Sequence, residues 1–465
     1  MQCFNDSSEE ESMSDCTESL GLQTMPFDKP LDFRLRFLNF NMANNLREGD
    51  FQAELMPNFL ADPFSDGEVL DAAFITLTET RMHMQPALRR YTGQWREVPP
   101  DSGLDSLVWR NALRPKKQGW WRWWLCCKAN VVEQISGNVK TALAFAGSRF
   151  IEEERDDLLG HFTQNPEKAF VGTSLFTKSV DFRLCFFGAH FPMQKLQAVL
   201  LNPPIEGALL AAKVEYAKVL RKVLRRFVRW NLADDRTVLF LQGDLNSRTI
   251  FDDGVAKDVL QEVLNDTEFL AAINLELPLP LGRWREIVPF ESIREMPVTY
   301  KLTQTTGSVP MTLGDLLSAR EKACDPSAPV RQKSNHTNVL ESVGTSQRRE
   351  WGLTGDPQKV RASHFPAFTD RVLYWAPDSL DRRMTWELPH KGYRVLSEIA
   401  GSDHRPVTLE VHLKVEPASR DIGVERHASP ISAFSVVSQS IATMISGDSD
   451  SECDEQGDLT RRATV

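Results

Sequence analysis

Thr237-Val-Leu-Phe-Leu-Gln-Gly-Asp-Leu-Asn-Ser-Arg248 sets the frame for the whole chain. Val238 to Leu241, with Thr237 before them, form a short apolar, β-rich run, too short for a helix. This predicts a fully buried strand that stops at the permissive Gly243. Asp244 and Asn246 follow at the strand end. Side chains two apart in extended backbone point the same way, so a carboxylate and a carboxamide would face one cavity. That pairing suits a metal-bound phosphate and its attacking water. A Gly-Asp-Leu-Asn turn that caps a following helix is the competing reading of the same residues, and the stretch alone leaves both open.

Working outward, other predicted strands also end on chemistry-bearing side chains. Leu35-Arg-Phe-Leu-Asn-Phe-Asn-Met42 alternates, with Leu35, Phe37, Asn39 and Asn41 on one side. Ala72-Ala-Phe-Ile-Thr-Leu-Thr78 is a buried run that ends in Glu79, either a solvated strand end or a metal ligand. Arg183-Leu-Cys-Phe-Phe-Gly-Ala-His190 finishes on an imidazole. His364-Phe-Pro-Ala-Phe-Thr-Asp-Arg-Val-Leu-Tyr-Trp375 places Asp370 and Arg371 at the entry to an apolar strand. Gly401-Ser-Asp-His-Arg-Pro-Val407 is a turn before an alternating last strand. Asp403 and His404 are sequence neighbours, so His404 is expected to take its orientation from another acid.

Between these strands, Ala208 to Trp230 has helical periodicity with a basic outer face. Ile151-Glu-Glu-Glu-Arg-Asp-Asp reads as a polar helical piece. Residues 303–363 are polar and aperiodic, as in a long insertion. Residues 110–128 combine Arg110, Arg114, Lys116 and Lys117 with Trp120, Trp121, Trp123 and Trp124. This composition fits either a core strand or a contact with anionic membrane headgroups.

Composition bounds the class. Apolar residues make up 41% and charged residues 25%, as in an ordinary soluble protein, and 465 residues suffice for a large core. The net charge of −10 argues against a nucleic-acid partner, although the ends supply much of it. Met1 to Lys29 carries seven acidic residues against one lysine, and Asp448 to Asp458 carries six. Residues 1–29 and 415–465 are therefore expected to be disordered around a domain spanning 30–414. The seven cysteines lack an even framework, which points to a reducing, cytoplasmic setting. Neither a signal peptide nor a membrane-spanning apolar run is expected, so membrane contact would be peripheral.

Phe240-Leu-Gln-Gly-Asp-Leu-Asn-Ser-Arg248 and Phe365-Pro-Ala-Phe-Thr-Asp-Arg-Val-Leu373 resemble the two signatures of the inositol polyphosphate 5-phosphatases. These belong to the endonuclease/exonuclease/phosphatase superfamily that includes deoxyribonuclease I. The resemblance runs from about residue 31 to about 414. Ser247 stands where that family usually has an aromatic, and Phe368-Thr369 where it has Trp-Cys. Pro297-Val-Thr-Tyr-Lys301 is similar to a phosphate-gripping segment with Val298 inserted. Lys168 resembles a loop lysine of the family, flanked here by Glu167 and Ala169.

The resemblance implies an α+β fold, a four-layer α/β/β/α sandwich of deoxyribonuclease I type. It implies a Mg2+ held by Glu79 and Asn41. Asp244 and Asn246 would position and deprotonate a water, and His190 and His404 would donate to phosphoryl oxygens. Asp370 would orient His404, with Asp403 on the metal or water side. Lys168, Tyr300, Lys301 and Arg371 would bind the other phosphates of a phosphoinositide or soluble inositol polyphosphate. A nuclease of the same superfamily and a catalytically silent phosphoinositide-binding module are the rival readings.

Overall fold

The computed structural model describes residues 27, 29–42, 68–79, 104–111, 139–153, 158–162, 168–192, 206–229, 233–252, 255–277, 279–300, 312, 314–315, 318, 366–396 and 402–418. The strands are β1 (Leu31–Asn41), β2 (Ala72–Thr78), β3 (Ser106–Asn111), β4 (Val139–Phe145), β5 (Phe150–Glu153), β6 (Leu159–His161), β7 (Ala169–Thr177) and β8 (Arg183–His190). Helix α1 (Ala208–Arg229) follows, then β9 (Thr237–Asp244), β10 (Thr249–Asp252) and β11 (Val255–Asp258). Next come α2 (Val259–Asn265), α3 (Thr267–Leu275), β12 (Gly282–Glu286), α4 (Phe290–Arg294), β13 (Asp370–Pro377), α5 (Asp378–Asp381), β14 (Met384–Glu387), β15 (Tyr393–Val395) and β16 (Val407–Val415).

Two mixed sheets carry the fold. One runs β14-β16-β1-β2-β4-β3 and the other β12-β13-β9-β8-β7-β5, with β15 beside β16 and β6 beside β7. The two parallel pairs, β1 with β2 and β8 with β9, lie at the middle of their sheets. The runs read from sequence as continuous and apolar, Ala72–Thr78 and Thr237–Asp244, are buried at every position, as strands covered on both faces must be.

Inward residues of both sheets, among them Phe33, Phe37, Phe74, Phe186 and Phe240, interdigitate in one apolar core between the sheets. Phe186 and Phe240 stack at 5.1 Å, and Phe37 lies 5.2 Å from Phe240. The second core lies between β7, β8, β9 and β13 on one side and α1, α2 and α3 on the other. Helix α1 turns Ala212, Tyr216, Leu220, Val223, Leu224 and Phe227 toward it, the apolar face that its periodicity predicted. Leu38, Phe40, Ile75 and Leu77, on the opposite face of the first sheet, are also buried, so that face is covered as well. This is the α+β sandwich expected from the sequence, with paired sheets and, among the described residues, a helical layer over the second sheet.

Polar side chains also cross between the sheets. Gln242, fully buried on β9, donates through its Nε2 to the carbonyls of Leu38 and Phe74 (3.2 Å each) and to Thr76 Oγ1 at 2.8 Å. Its register in β9 is thereby tied to β1 and β2.

One expectation fails. Residues 151–153, read as helical from their acidic character, lie in β5, paired antiparallel with β7. Ile151 points to solvent, while Glu152 accepts from Arg110 and Thr173 and Glu153 accepts from Ser174. Cross-strand partners therefore outweigh the weak helical preference of the acids. Residues 154–157, most of the 303–363 insertion and the Trp-rich segment 112–128 lie outside the described residues, as do 1–26, 28 and 419–465 of the segments 1–29 and 415–465 expected to be disordered. Against that expectation, Phe27 packs on Phe182 and Val415 ends β16.

Candidate active site

Topology alone gathers the chemistry-bearing strand ends. Strands β1 and β2 run parallel and end together at Asn41 and Thr78, with Glu79 next. In the other sheet β8 and β9 run parallel and end at His190 and Asp244, which are register partners. Strand β13 is antiparallel to β9 and begins at Asp370, opposite Asp244. Strand β16 is antiparallel to β1, so the turn that carries His404 reaches the same end. Six segments of distant sequence thus deliver Asn41, Glu79, His190, Asp244, Asp370 and His404 to one rim of the sandwich.

The Asp244 carboxylate is the hub of this rim. Its Oδ2 accepts from Asn41 Nδ2 at 2.9 Å and lies 3.2 Å from His190 Nε2 and 3.9 Å from His404 Nε2. Its Oδ1 accepts the Asn246 backbone N–H at 3.0 Å. Glu79 Oε1 is 3.7 Å from His190 Nε2. Lys168 Nζ touches that same His190 nitrogen. Asp244, His190 and His404 are all but fully buried, whereas Glu79 keeps 29% of its side chain exposed and forms the open side of the cluster.

Backbone geometry sets up the same place. Gly243 has φ +144, and a Cβ there would sit 1.8 Å from the Ala189 carbonyl oxygen, so β8 and β9 approach as only glycine allows. Glu79 and Asn246 adopt φ +51 and +52, left-handed values uncommon in residues with side chains. Strain of this kind persists where the surroundings over-determine it, and here both instances flank Asp244.

The turn after Asp244 is not a helix cap. The chain continues into β10, and the next helix, α2, takes its cap from Asp258, whose side chain accepts the Gln261 N–H. Nor do Asp244 and Asn246 project together by simple strand alternation, because β9 ends at Asp244. Asn246 turns back instead. Its Nδ2 donates to the Phe191 carbonyl at 2.7 Å and its Oδ1 accepts from Arg248 at 2.8 Å.

A second acid–imidazole pair lies beside the hub. Asp370 Oδ2 is 2.9 Å from His404 Nδ1, the acid partner that sequence reasoning required for this histidine. Asp370 also accepts from Thr369 Oγ1 at 2.9 Å and, across the sheets, from Asn39 Nδ2 at 3.3 Å. Thr299 Oγ1 accepts the N–H groups of Thr369 and Asp370. Ser402 Oγ donates to the Asn41 carbonyl at 2.6 Å and accepts the His404 N–H at 3.0 Å, which joins the β1 end to the His404 turn. Thr299, Thr369 and Ser402 sat inside quoted motifs but had no assigned role. Their hydroxyls act through these bonds, which no sequence pattern announces.

Electrostatics follow from this packing. Burial pushes the His404 pKa down, but the Asp370 and Asp244 charges outweigh it and raise it to about 9, with a smaller push from half-buried Asp403. At neutral pH the ring is cationic and both of its nitrogens are donors. Burial pushes Asp244 up, yet the charge of His404, the hydrogen bond and charge of His190, and Lys168 together hold it well below the usual carboxylate range. Burial raises Asp370, against the pull of His404.

Because the folded pKa of His404 exceeds its ordinary 6.5, its contribution to stability is complete below about 6.5 and fades as pH rises through about 9. The thermal midpoint of metal-free protein is therefore expected to fall between pH 7 and 10, and this fall should flatten in His404→Gln. An equal fall in the variant would contradict the assignment.

Glu79, His190 and Asp244 each offer a ligand atom, all within 4.8 Å of one another. Two carboxylates with the neighbouring Asn41 carboxamide make an oxygen-rich donor set that fits a hard divalent cation. Asp403 is not among these three. Tyr300 lies at the rim, its ring centroid 4.6 Å from that of His404, with isolated bridges to His404 and Ala367. Lys301 lies outside the described residues.

Arg371 departs from expectation. Instead of facing a phosphate, it is buried on the far side of β13, where it pairs with Asp258 at 2.5 Å, contacts Glu286, and donates through Nε to the Phe368 carbonyl at 2.8 Å. Strand alternation explains this, because Asp370 faces the rim and the next residue must face away. Burial opposes the charge of Arg371, but Asp258 and Glu286 outweigh it. One guanidinium shared by two buried acids leaves Glu286 pushed up to about 7 by burial. Ser247, the position that departs from the 5-phosphatase signature, donates to Asp258 Oδ1 at 2.9 Å and so belongs to this buried network.

No family model matches the chain, and no curated protein matches it. Among solved structures, it is similar to a ferrous nitric oxide complex of Cimex nitrophorin, at 12% identity over 83% of this chain and 98% of that one, with a TM-score of 0.38. It is similar to the inositol polyphosphate 5-phosphatase domain of SPsynaptojanin in complex with inositol (1,4)-bisphosphate and calcium ion, at 14% identity over 83% and 86%, TM-score 0.39. An endonuclease/exonuclease/phosphatase family protein from Bacteroides thetaiotaomicron is similar at 12% identity over 83% and 96%, TM-score 0.38.

Proposed function

We propose that this chain is a Mg2+-dependent phosphatase that removes the 5-phosphate of a phosphoinositide or a soluble inositol polyphosphate. The observation that supports this most is the convergence of the Asp244 hub and the Asp370–His404 pair on one rim, with Glu79 open to solvent beside them. Glu79, Asn41 and Asp244 would hold the cation, which supplies positive charge to the phosphoryl oxygens.

The remaining work falls to the side chains. His404 presents Nε2–H beyond hydrogen-bond distance of Asp244, free to donate to a phosphoryl oxygen, while Asp370 fixes Nδ1. Asp244, held ionised, would orient an attacking water and take up its proton as the P–O ester bond breaks, with cationic His404 able to return a proton to the leaving ring oxygen. Lys168, beside His190, and Tyr300, beside His404, would meet the other phosphates of the substrate.

The choice of substrate rests on the two 5-phosphatase signatures, and a lipid is preferred on the strength of the Trp-rich basic stretch 110–128, of which Arg110 itself is taken up by Glu152. None of the described helices is long and apolar enough to cross a membrane. The cytosolic face of an anionic membrane is the proposed working place. Phosphate release should be measured with Mg2+ across vesicles of phosphatidylinositol 4,5-bisphosphate, soluble inositol trisphosphate and an abasic-site duplex. Release from the inositol compounds alone is expected, faster from vesicles. Faster release from the soluble compound would overturn the lipid preference, and duplex cleavage alone would overturn the substrate class.

A further inference from the structure

Arg248 has no part in the chemistry described so far, yet it touches both halves of the rim. Its side chain is buried, with 5% of the residue exposed. Its NH2 group donates to Asn246 Oδ1 at 2.8 Å, and its guanidinium carbon lies 4.0 Å from the centroid of the Tyr300 ring. Tyr300 packs in turn against His404 at 4.6 Å between centroids. Asn246 belongs to the turn that leaves β9, whereas Tyr300 and His404 belong to segments joined by isolated bridges. One planar cation therefore couples the Asp244 turn to the His404 turn.

We propose that Arg248 is a positioning residue for the hydrolytic reaction, a proposal that rests on the hydrolase reading above. The Asn246 carboxamide has two ends, and each has a fixed partner: Nδ2 gives a proton to the Phe191 carbonyl and Oδ1 receives one from Arg248. Without Arg248 the amide keeps only the Phe191 contact of the two that fix its orientation, and the left-handed turn at Asn246 loses its outer tether. That turn also presents the Asn246 N–H to Asp244 Oδ1, so the hub carboxylate loses a constraint on its rotation. On the other side, the guanidinium holds the Tyr300 ring against His404 by a cation–π contact.

Lysine cannot replace it. An ammonium lacks the planar fork that donates in its plane while stacking through its face, so it can keep one contact but not both. A partner that orients a reacting group typically governs about 10- to 100-fold in activity.

The test compares Arg248→Lys and the smaller Arg248→Gln with wild type in phosphate release from phosphatidylinositol 4,5-bisphosphate vesicles with Mg2+. Both variants should lose about 10- to 100-fold in kcat while KM stays within about threefold. A raised KM with kcat retained would overturn the proposal and make Arg248 a substrate-binding residue. In an Asn246→Ala background, Arg248→Lys should cost less than it does in wild type, since the Asn246 route is already cut and only the Tyr300 contact remains to be lost. Effects that multiply would overturn that route.

Nitrogen-15 NMR reads the same claim without turnover. The Asn246 side-chain NH2 pair, assigned by its loss in Asn246→Ala, should exchange with water about tenfold faster or more in Arg248→Lys. An unchanged pair would overturn the proposal. If wild type turns over none of the inositol compounds, the hydrolase reading falls, and this NMR result still decides whether Arg248 holds the Asn246 amide.

Discussion

Asp244→Asn should lower kcat/KM for phosphate release by about a thousandfold, roughly 4 kcal/mol of transition-state stabilisation, while the protein stays folded. The size follows from the number of donors converging on this carboxylate. Its Oδ2 faces Asn41 Nδ2 and His190 Nε2, its Oδ1 faces the Asn246 N–H, and the His404 cation lies 3.9 Å away. An amide cannot accept at both positions. One end must present N–H to a donor, and the rim loses the negative charge that makes it a cation site with Glu79. Circular dichroism of the variant should match wild type, because the flanking backbone bonds from Phe191 N–H to the Asp244 carbonyl and from Leu245 N–H to the Thr369 carbonyl are untouched. A loss below about tenfold would place the chemistry elsewhere.

Gly243→Ala should destabilise the fold by on the order of 3–5 kcal/mol, read from the denaturant midpoint. The new methyl would meet backbone and not a movable side chain. The nearest atoms are the oxygen, carbon and nitrogen of Ala189, at 1.8, 2.8 and 2.9 Å. Relief requires separating β8 from β9, the parallel pair whose register sets His190 against Asp244. Gly207→Ala is the control. It has a left-handed φ of +75 but nothing within 4 Å of the added methyl, so only the conformational cost of about 1 kcal/mol remains. Equal effects at the two positions would show that the close approach of the strands contributes nothing.

Asp244 and Gly243 lie in the stretch from Thr237 to Arg248, which was also the most legible part of the sequence. An unbroken β-rich run between a polar start and a glycine has few other solutions, and Thr237–Asp244 is a fully buried strand. The runs at Ala72–Thr78 and Arg183–His190 were legible for the same reason. The amphipathic helix Ala208–Arg229 was legible because a single face carries its core contacts. The strand at Phe150–Glu153 was hidden, because its side chains find partners on β7 and Arg110 that are remote in sequence.

The candidate site was legible as a set of strand ends, but not in its connections. That His404 needed another acid followed from the adjacency of Asp403, and Asp370 meets that need at 2.9 Å. Arg371 was misread because a neighbour of a rim residue on a strand points the other way, into the Asp258 and Glu286 pair. Thr299, Ser402 and Arg248 could not be assigned from sequence, since their importance lies in contacts between turns whose spatial neighbours periodicity does not reveal. Departures from the 5-phosphatase signature proved informative in the same way. Ser247 is a fully buried hydroxyl that supports the Asp258 cap.

The proposed activity is hydrolysis of a phosphomonoester at the Asp244 rim with a divalent cation. The most direct measurement is inorganic phosphate released by the full chain from phosphatidylinositol 4,5-bisphosphate vesicles and from soluble inositol trisphosphate, with Mg2+ and again with excess EDTA. Steady release with Mg2+, loss of that release with EDTA and recovery when Mg2+ is restored are expected. Release from either compound that is indifferent to EDTA, or equal release by Asp244→Asn, would contradict the proposed activity.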